Sequence, residues 1–586
     1  MFAGSFGFFC VQIVASNNQR YIKIYIDIIQ YLLDIILIMY YVGVARMYLE
    51  RIRKRHGKKQ YLTTLIRESY RDGGKVKHRT IANLSKLPAH ITQNIETLLS
   101  NQETNFQKLD ALKICNSREY GASSAFMNLA RELSLDKIIY SRKTDWQQDA
   151  LAMIIGRLIY QGSKLHLTHL HHDSILWELT GFKNQSCPDV AEHCYRPLDR
   201  LLERQTAIQK ELADKHLNNG SIILYDITSS YLEGEYEESE LVAFGYSRDC
   251  KRRHEQIVIG LLANEIGCPV AVEVFRGNTS DQTTVLDQAK KLANDYHVKD
   301  VIFVGDRGML TPKRIDEVNE LGYKTLTALS HPQLRELRDR GVVNPDQFTK
   351  DAVVEISDPD NASIRYFLCK NPDKKIENKE TRDILIAKTK EALEKVATSN
   401  KKNEQQKCAQ IGKILAKYKV GKFFDWSFQN NKLSFQIDGD KIIAEEDFDG
   451  CYVIRTDSTL NKEDAVTSYK NLTHVERAFR NIKTMSLEIR PIYHQLDHRI
   501  KAHVFLCMLA YYIEWHAMQR LKPLFAQDGK GAKKHFSFAR VIERLKSIRI
   551  QDCSLNEIKI PGVITIPDNE QQKILDLLKC SQKREI

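Results

Sequence analysis

No pair of cysteines in this chain has the spacing of a metal-binding module. Twelve cysteines are scattered through 586 residues. There is no C-x-x-C, and the nearest two are Cys187 and Cys194. That excludes a zinc ribbon and argues against a disulfide framework, which leaves a reduced, cytosolic chain as the simple reading. A dinucleotide fingerprint is missing as well, since Gly305-Asp306-Arg307-Gly308 is not G-x-G-x-x-G. Nor is there an unbroken apolar run of the roughly 20 residues that a membrane span needs. The nearest approach, Tyr31–Ala45, is interrupted by Asp34 and preceded by Lys23 and Asp27. It also lacks the basic start and small-residue cleavage site of a signal peptide. Ordinary soluble composition begins at Met47. Residues 1–46 are therefore read as a non-native upstream extension, with a membrane anchor as the alternative, and no membrane partner is expected.

What is present is enough apolar sequence, 42% hydrophobic and 9% aromatic, to bury several cores. At roughly one domain per 150 residues, three or four units are expected. The net charge of +12 is unevenly placed: Met47–Thr80 holds eleven Lys/Arg against three acids. Its densest part is Arg53, Lys54, Arg55, Lys58 and Lys59. Such a patch suits a phosphate backbone, because each neutralised phosphate releases counterions. A solvated face that keeps the protein soluble explains the charge equally well.

Residues 47–104 read as short basic strands, with a hairpin turn at Asp72-Gly73-Gly74. Residues 105–218 read as helical, with apolar positions at helical spacing over Trp146–Ile159 and Val190–Leu212. The pattern then changes. SIILY stops at Asp226, QIVIGLL and PVAVEVF form a hairpin, a helix follows over Thr283–Ala293, and DVIFV leads to Gly305-Asp306. A short helix and a fifth strand, Tyr323–Ala328, complete residues 219–330. Three antiparallel strands followed by two parallel ones make a mixed α/β sheet of the ribonuclease H-like kind. Residues 331–465 break the rhythm and read as a largely β insertion, with strands at Ala352–Ser357, Ile364–Cys369, Phe423–Phe428, Lys432–Ile437 and Cys451–Thr456 and a Lys-rich helix over Arg382–Tyr418. Residues 466–522 resume the helical part, and 523–586 form a basic tail.

Metal-assisted phosphoryl transfer needs oxygen ligands that converge from different elements. Asp226 and Asp306 each follow an apolar strand run, and a carboxylate there is costly to bury without a cation. Either one alone is better explained by a cap or loop, and two in the right places of one sheet pattern shift the balance. In SYKNLTHVERAFRNIKTM, Tyr469, Glu476 and Lys483 are seven apart, close to two helical turns, so a continuous helix would put them on one face with Arg480 nearby. On spacing alone, a surface ion pair between Glu476 and Arg480 explains Glu476 better. The histidines at 166, 169, 171 and 172 read as a loop cluster without a nearby cysteine.

The segment from Tyr469 to Lys483 resembles the Y-x2-R-x3-E-x6-K signature of bacterial insertion-sequence transposases of the DDE type, with Leu472 standing where that pattern has arginine. YDITS around Asp226, VGDRGM around Asp306, and the stretches Gly260-Leu261-Leu262, Gly277-Asn278-Thr279-Ser280-Asp281 and RPIYHQLDHRIKAHVFLCMLAYYI are similar to this family too. The resemblance implies a ribonuclease H-like fold in which Asp226, Asp306 and Glu476 bind two Mg²⁺ (or Mn²⁺) ions. Tyr469 and Lys483 would meet DNA phosphates, Arg480 would stand in for the absent arginine, and Arg307 would reach a further phosphate. An aromatic of the insertion, Trp426, would stack on a flipped base, with a core tryptophan as the alternative. The implied function is transposition: binding terminal inverted repeats through residues 47–215, then cutting and joining double-stranded DNA as a homodimer in the bacterial cytoplasm, at the nucleoid. The rival reading is a non-catalytic, transposase-derived DNA-binding protein.

Overall fold

The computed structural model describes residues 46–56, 59–87, 112–251, 253–349, 352–398, 403–429, 432–485, 487–490, 492–525, 536–555 and 558–580, with isolated positions between 92 and 99. The expectation for residues 1–46 lies outside the described residues, apart from Arg46, which opens the first strand. The chain divides into two units, one comprising 1–117, 550–565 and 581–586, the other 118–549 and 566–580.

In the first unit β1 (Arg46–His56), β2 (Lys59–Asp72) and β3 (Lys75–Asn83) form an antiparallel sheet in that order. Asp72 pairs with Lys75 across the expected turn, and Gly73 and Gly74 sit at φ +59° and +82°. Two successive positive φ values match the twist of the flanking strands, and glycine adopts them without penalty. A Cβ at either position would meet nothing within 4 Å, so the backbone angle is the constraint and not space. Met47, Ile66 and Leu84 make the small core. The three acids of the basic stretch are all paired: Glu50 with Arg67 at 2.6 Å, Asp72 with Lys77 at 2.7 Å, and Glu68 with Arg79. Arg53, Lys54, Arg71 and Lys75 are exposed, with no ion pair among the described residues. Arg55 and Lys59 lie on strands, and Lys58 lies outside the described residues.

A second sheet of this unit corrects two expectations. β4 (Leu112–Glu119) lies inside the span expected to be helical, and β15 (Arg549–Leu555) and β16 (Ile558–Ile564) lie inside the expected tail. The three pair in the order β16-β15-β4. Strands that find their partners some 430 residues away leave no local signal of the pairing.

The second unit begins with helices. α1 (Asp145–Tyr160) carries a Thr144/Gln147 capping box and is buried from Gln147 to Gly156, as a core helix requires. The stretch expected as one helix from Val190 comes in three pieces: a π turn at Ala191–Tyr195, a helix at Arg196–Glu203, and α2 (Gln205–His216).

The sheet follows, built from β5 (Ile222–Tyr231), β6 (Gln256–Asn264), β7 (Pro269–Arg276), β8 (Ile302–Val304) and β9 (Lys324–Ala328). The first three are antiparallel, and β5, β8 and β9 are parallel, joined through α3 (Asp281–Asn294) and α4 (Pro312–Glu320). The sheet does not stop at five strands. β10 (Val354–Ser357), β11 (Arg365–Lys370) and β14 (Cys451–Thr456) extend it to eight, in the order β10-β11-β14-β9-β8-β5-β6-β7. Residues 331–465 are also not largely β. Their longest elements are helices Pro372–Thr398 and Glu404–Tyr418, which bury Ile386, Leu393, Val396 and Ile411 against Phe423 and Phe424. Beside them β12 (Phe424–Gln429) and β13 (Lys432–Ile437) form a separate hairpin.

Three helical pieces close the unit: α5 (Lys462–Lys470), α6 (Leu472–Arg480) with a π turn at Asn481–Met485, and α7 (Asp497–Phe525). α7 runs through the core, with Phe505, Met508, Tyr512 and Ile513 buried. Among the described residues no helix is long and apolar enough to cross a membrane.

Candidate active site

β5 and β8 run parallel with Leu224 beside Val304. Two residues further along each chain come Asp226 and Asp306. Neighbouring strands lie about 4.8 Å apart, so this register sets the two aspartates level with each other. β5 does not end at Asp226 as expected, because Ile227 to Ser230 are buried and pair on against β6. Only β8 stops, and Asp306 sits in the turn beyond it. In both places the side-chain Oδ1 accepts the next backbone N–H, from Ile227 at 2.8 Å and from Arg307 at 2.7 Å. The Asp306 carbonyl accepts the N–H of Met309 and Leu310, at 3.0 and 3.1 Å, which fixes the turn.

α6 packs on β5 and β6 through a buried face of Leu472, Val475, Ala478 and Phe479. Glu476 stays exposed at the rim of that face, yet its charge reaches the aspartates. Burial pushes the Asp226 carboxyl up to about 6, with Asp306 and Glu476 adding to the rise and the Ile227 N–H and Arg248 opposing it. The Tyr469 hydroxyl, on α5, is pushed up to about 12, first by burial and then by Asp306, with smaller effects from Glu476 and Asp226 and with Arg307 opposing. Asp226, Asp306, Glu476, Tyr469 and Arg307 therefore share one electrostatic environment.

The three carboxylates have not closed into a tight cage. Among the described residues the only trio with its ligand atoms within 4.8 Å of one another is His216, Cys268 and His516. The acids nevertheless fit a hard divalent cation. The donors are all carboxylate oxygens, burial raises the Asp226 carboxyl above its usual range so that its charged form lacks a compensating cation, and Arg248, the cation facing it, is itself bound to Asp281 at 2.5 Å.

The expected common face of Tyr469, Glu476 and Lys483 is broken. Asn471 separates α5 from α6, and the π turn shifts the residues after Arg480. Lys483 points instead to Asp249, 3.0 Å away, which Arg490 also meets at 2.8 Å. Burial holds the Lys483 ammonium below its usual range, against the opposing charge of Asp249. Leu472 is buried, a packing residue where the signature has arginine. Arg480 and Arg307 are exposed. Trp426 is 42% exposed on β12 opposite Phe435, so it is not a core tryptophan.

The histidines expected in a loop lie instead on a helix, Lys164–His169, and a short 3-10 turn, Leu170–His172, and His171 Nε2 donates to the Asn184 carbonyl at 2.9 Å. A cysteine does come close, contrary to expectation: Cys187 Sγ lies 3.3 Å from His172 Nε2. Sequence reasoning missed Arg248, Asp249 and Arg490. The first two sit in the loop between β5 and β6, whose only local signal is the run of charges from Arg248 to Arg253.

Two families match this chain. Residues 49–110 match the N-terminal domain of the IS1634 family of transposases, and residues 218–513, just over half of the chain, match the transposase DDE domain. No curated protein matches it. Among solved structures, the cryo-EM structure of the piggyBac transposase synaptic complex with hairpin DNA is similar at 9% identity, over 72% of this chain and 76% of that one, with a TM-score of 0.35.

Proposed function

The chain belongs to the DDE transposases, and on that footing we propose that it cuts and rejoins DNA at the ends of an insertion sequence, using divalent ions held by Asp226, Asp306 and Glu476. The observation that carries this reading is the parallel register of β5 and β8, which carries Asp226 in one strand and Asp306 in the turn just past the other, with Glu476 close enough to raise the Asp226 carboxyl. The strand order β7-β6-β5-β8-β9, with acids on the central pair, supports a ribonuclease H-like catalytic domain made of residues 219–330 and 466–522.

Two Mg²⁺ or Mn²⁺ ions, when bound, would activate the attacking oxygen and stabilise the leaving one. The chain's own groups do the rest. The Ile227 and Arg307 N–H groups each fix one carboxylate oxygen and leave the other to ligate. The Tyr469 hydroxyl stays protonated at working pH and so donates to a phosphate oxygen. Arg307 and Arg480 offer exposed positive charge to the DNA backbone. Lys483 reaches DNA only by giving up Asp249, so its contribution is assigned to holding the loop that carries Arg248. Trp426 is exposed and available to stack on an unpaired base. The basic strands Arg46–His56 and Lys59–Asp72, with the helices up to 218, bind terminal repeats, and two copies hold the two ends.

The test is a duplex carrying the element's own terminal repeat, incubated with Mg²⁺ or Mn²⁺. The wild type yields cut and joined products. Asp226→Asn, Asp306→Asn and Glu476→Gln each remove both products while the gel shift on the repeat persists. A folded variant of any of the three that cuts at the wild-type rate overturns the assignment, and a wild type that binds but never cuts makes the chain a binding protein only.

A further inference from the structure

His216 ends α2, Cys268 immediately precedes β7, and His516 lies in α7. Three elements far apart in sequence thus bring two imidazoles and a thiol together, with ligand atoms all within 4.8 Å of one another. Cys268 Sγ stands 4.0 Å from His516 Nε2, and the two imidazole rings are tilted, with centroids 5.6 Å apart. A tetrahedral zinc with Zn–S near 2.3 Å and Zn–N near 2.0 Å sets its ligand atoms roughly 3.3–3.6 Å apart. Closing the trio onto a metal therefore requires side-chain movements of roughly 1 Å, within the reach of small χ rotations.

The surroundings suit such a site. Cys268 is buried and both histidines are half-buried, and three protein ligands leave the fourth position of a tetrahedral zinc for water. The Tyr512 hydroxyl lies 2.9 Å from His216 Nε2. It is the kind of partner that orients a ligating imidazole, with Nδ1 then turned to the metal. The neighbouring Lys215 does not fill the place of a cation, because its ammonium donates to the Leu133 carbonyl at 2.6 Å.

We propose that His216, Cys268 and His516 form a zinc site that ties α2, the β6–β7 hairpin and α7 together. It differs in kind from the carboxylate site: two nitrogens and a sulfur favour Zn²⁺, whereas three carboxylates favour Mg²⁺ or Mn²⁺. The site has a structural consequence for the helix bearing Glu476. Gly267, at the tip of the hairpin and at φ +83°, abuts α6 so closely that a Cβ there would stand 2.6 Å from the His474 Cβ. From the other side, Asn481 Nδ2 donates to Glu514 on α7 at 2.9 Å. A metal at the trio holds both supports of α6. The site stands independently of the carboxylate reading, and only this consequence for Glu476 rests on it.

The test uses the full-length protein, stripped with a chelator and titrated with Co²⁺. One equivalent should give a thiolate-to-cobalt absorption band with tetrahedral d–d bands, displaced by Zn²⁺. Cys268→Ser should lose the thiolate band, and Asp226→Asn should keep it, so a failure of the carboxylate reading is scored separately. X-ray absorption at the zinc edge of the wild type should show one sulfur and two imidazole nitrogens, which decides the matter even if Cys268→Ser does not fold. Absence of a thiolate band in the wild type, an undiminished band in folded Cys268→Ser, or a zinc shell without sulfur would each mean that the trio is only an aromatic packing cluster with Tyr512 and Trp515.

Discussion

Asp226 is a carboxyl group in a strand interior, pushed up to about 6 from an ordinary 3.8 by burial and then by Asp306 and Glu476. The sign of its effect follows. A folded pKa above the unfolded one favours the protonated native state, so its stabilisation is complete below about pH 4 and lost as pH rises through 6. Above that, ionised Asp226 destabilises the metal-free protein, by at most about 3 kcal/mol at roughly 1.4 kcal/mol per pKa unit. Asp226→Asn should therefore raise the melting temperature of chelated protein at pH 7.5, and by clearly less at pH 4.5. Mg²⁺ or Mn²⁺ should stabilise the wild type more at pH 7.5 than at pH 5. Scanning calorimetry reads both, and an Asn variant that melts lower at pH 7.5 refutes this electrostatic account. The aspartates were conspicuous in the sequence because each follows an apolar run. Asp249 and Arg490 were not, because their pairing joins a loop without periodicity to a segment more than 230 residues away, and Arg248, paired with Asp281, sits in that same loop.

At the scale of elements, the seven-residue spacing of Tyr469, Glu476 and Lys483 predicts one face of one helix, and the chain instead makes α5, α6 and a π turn. Asn471 ends the first helix, so the spacing continues across a break that side-chain periodicity does not register. The outcome is a division of labour: Tyr469 and Glu476 turn to the aspartates while Lys483 and Arg490 meet at Asp249, all three side chains only 10–13% exposed. Removing the shared acid strands two buried cations, and breaking a buried pair costs about 3–5 kcal/mol. Asp249→Ala should shift the urea midpoint by an amount of that order and slow cleavage with it. A loss of less than about 1 kcal/mol would show that solvent reaches the cluster and that it holds nothing in place. The hairpin at Gly73-Gly74, by contrast, was fully legible, because its geometry is set by two adjacent residues.

Over the whole molecule, the order of strands and helices from β5 to β9 could be read from the sequence because each element is bounded by polar residues and its connections are short. The three added strands β14, β11 and β10 could be read as strands, but not as members of this sheet, since their places in it depend on helices Pro372–Thr398 and Glu404–Tyr418 being looped out between them. The same holds for β4 and β15, which pair from opposite ends of the chain. The long excursion from β9 to α6 returns Glu476 to the two aspartates, so the candidate site exists only when residues hundreds of positions apart have folded together. Its central claim is that these three acids hold the working metal. Anomalous diffraction from Mn²⁺-soaked crystals of the full chain bound to a terminal-repeat DNA end tests it most directly. The account predicts manganese density among Asp226, Asp306 and Glu476; a bound DNA end with manganese only elsewhere, or with none at these acids, would contradict it.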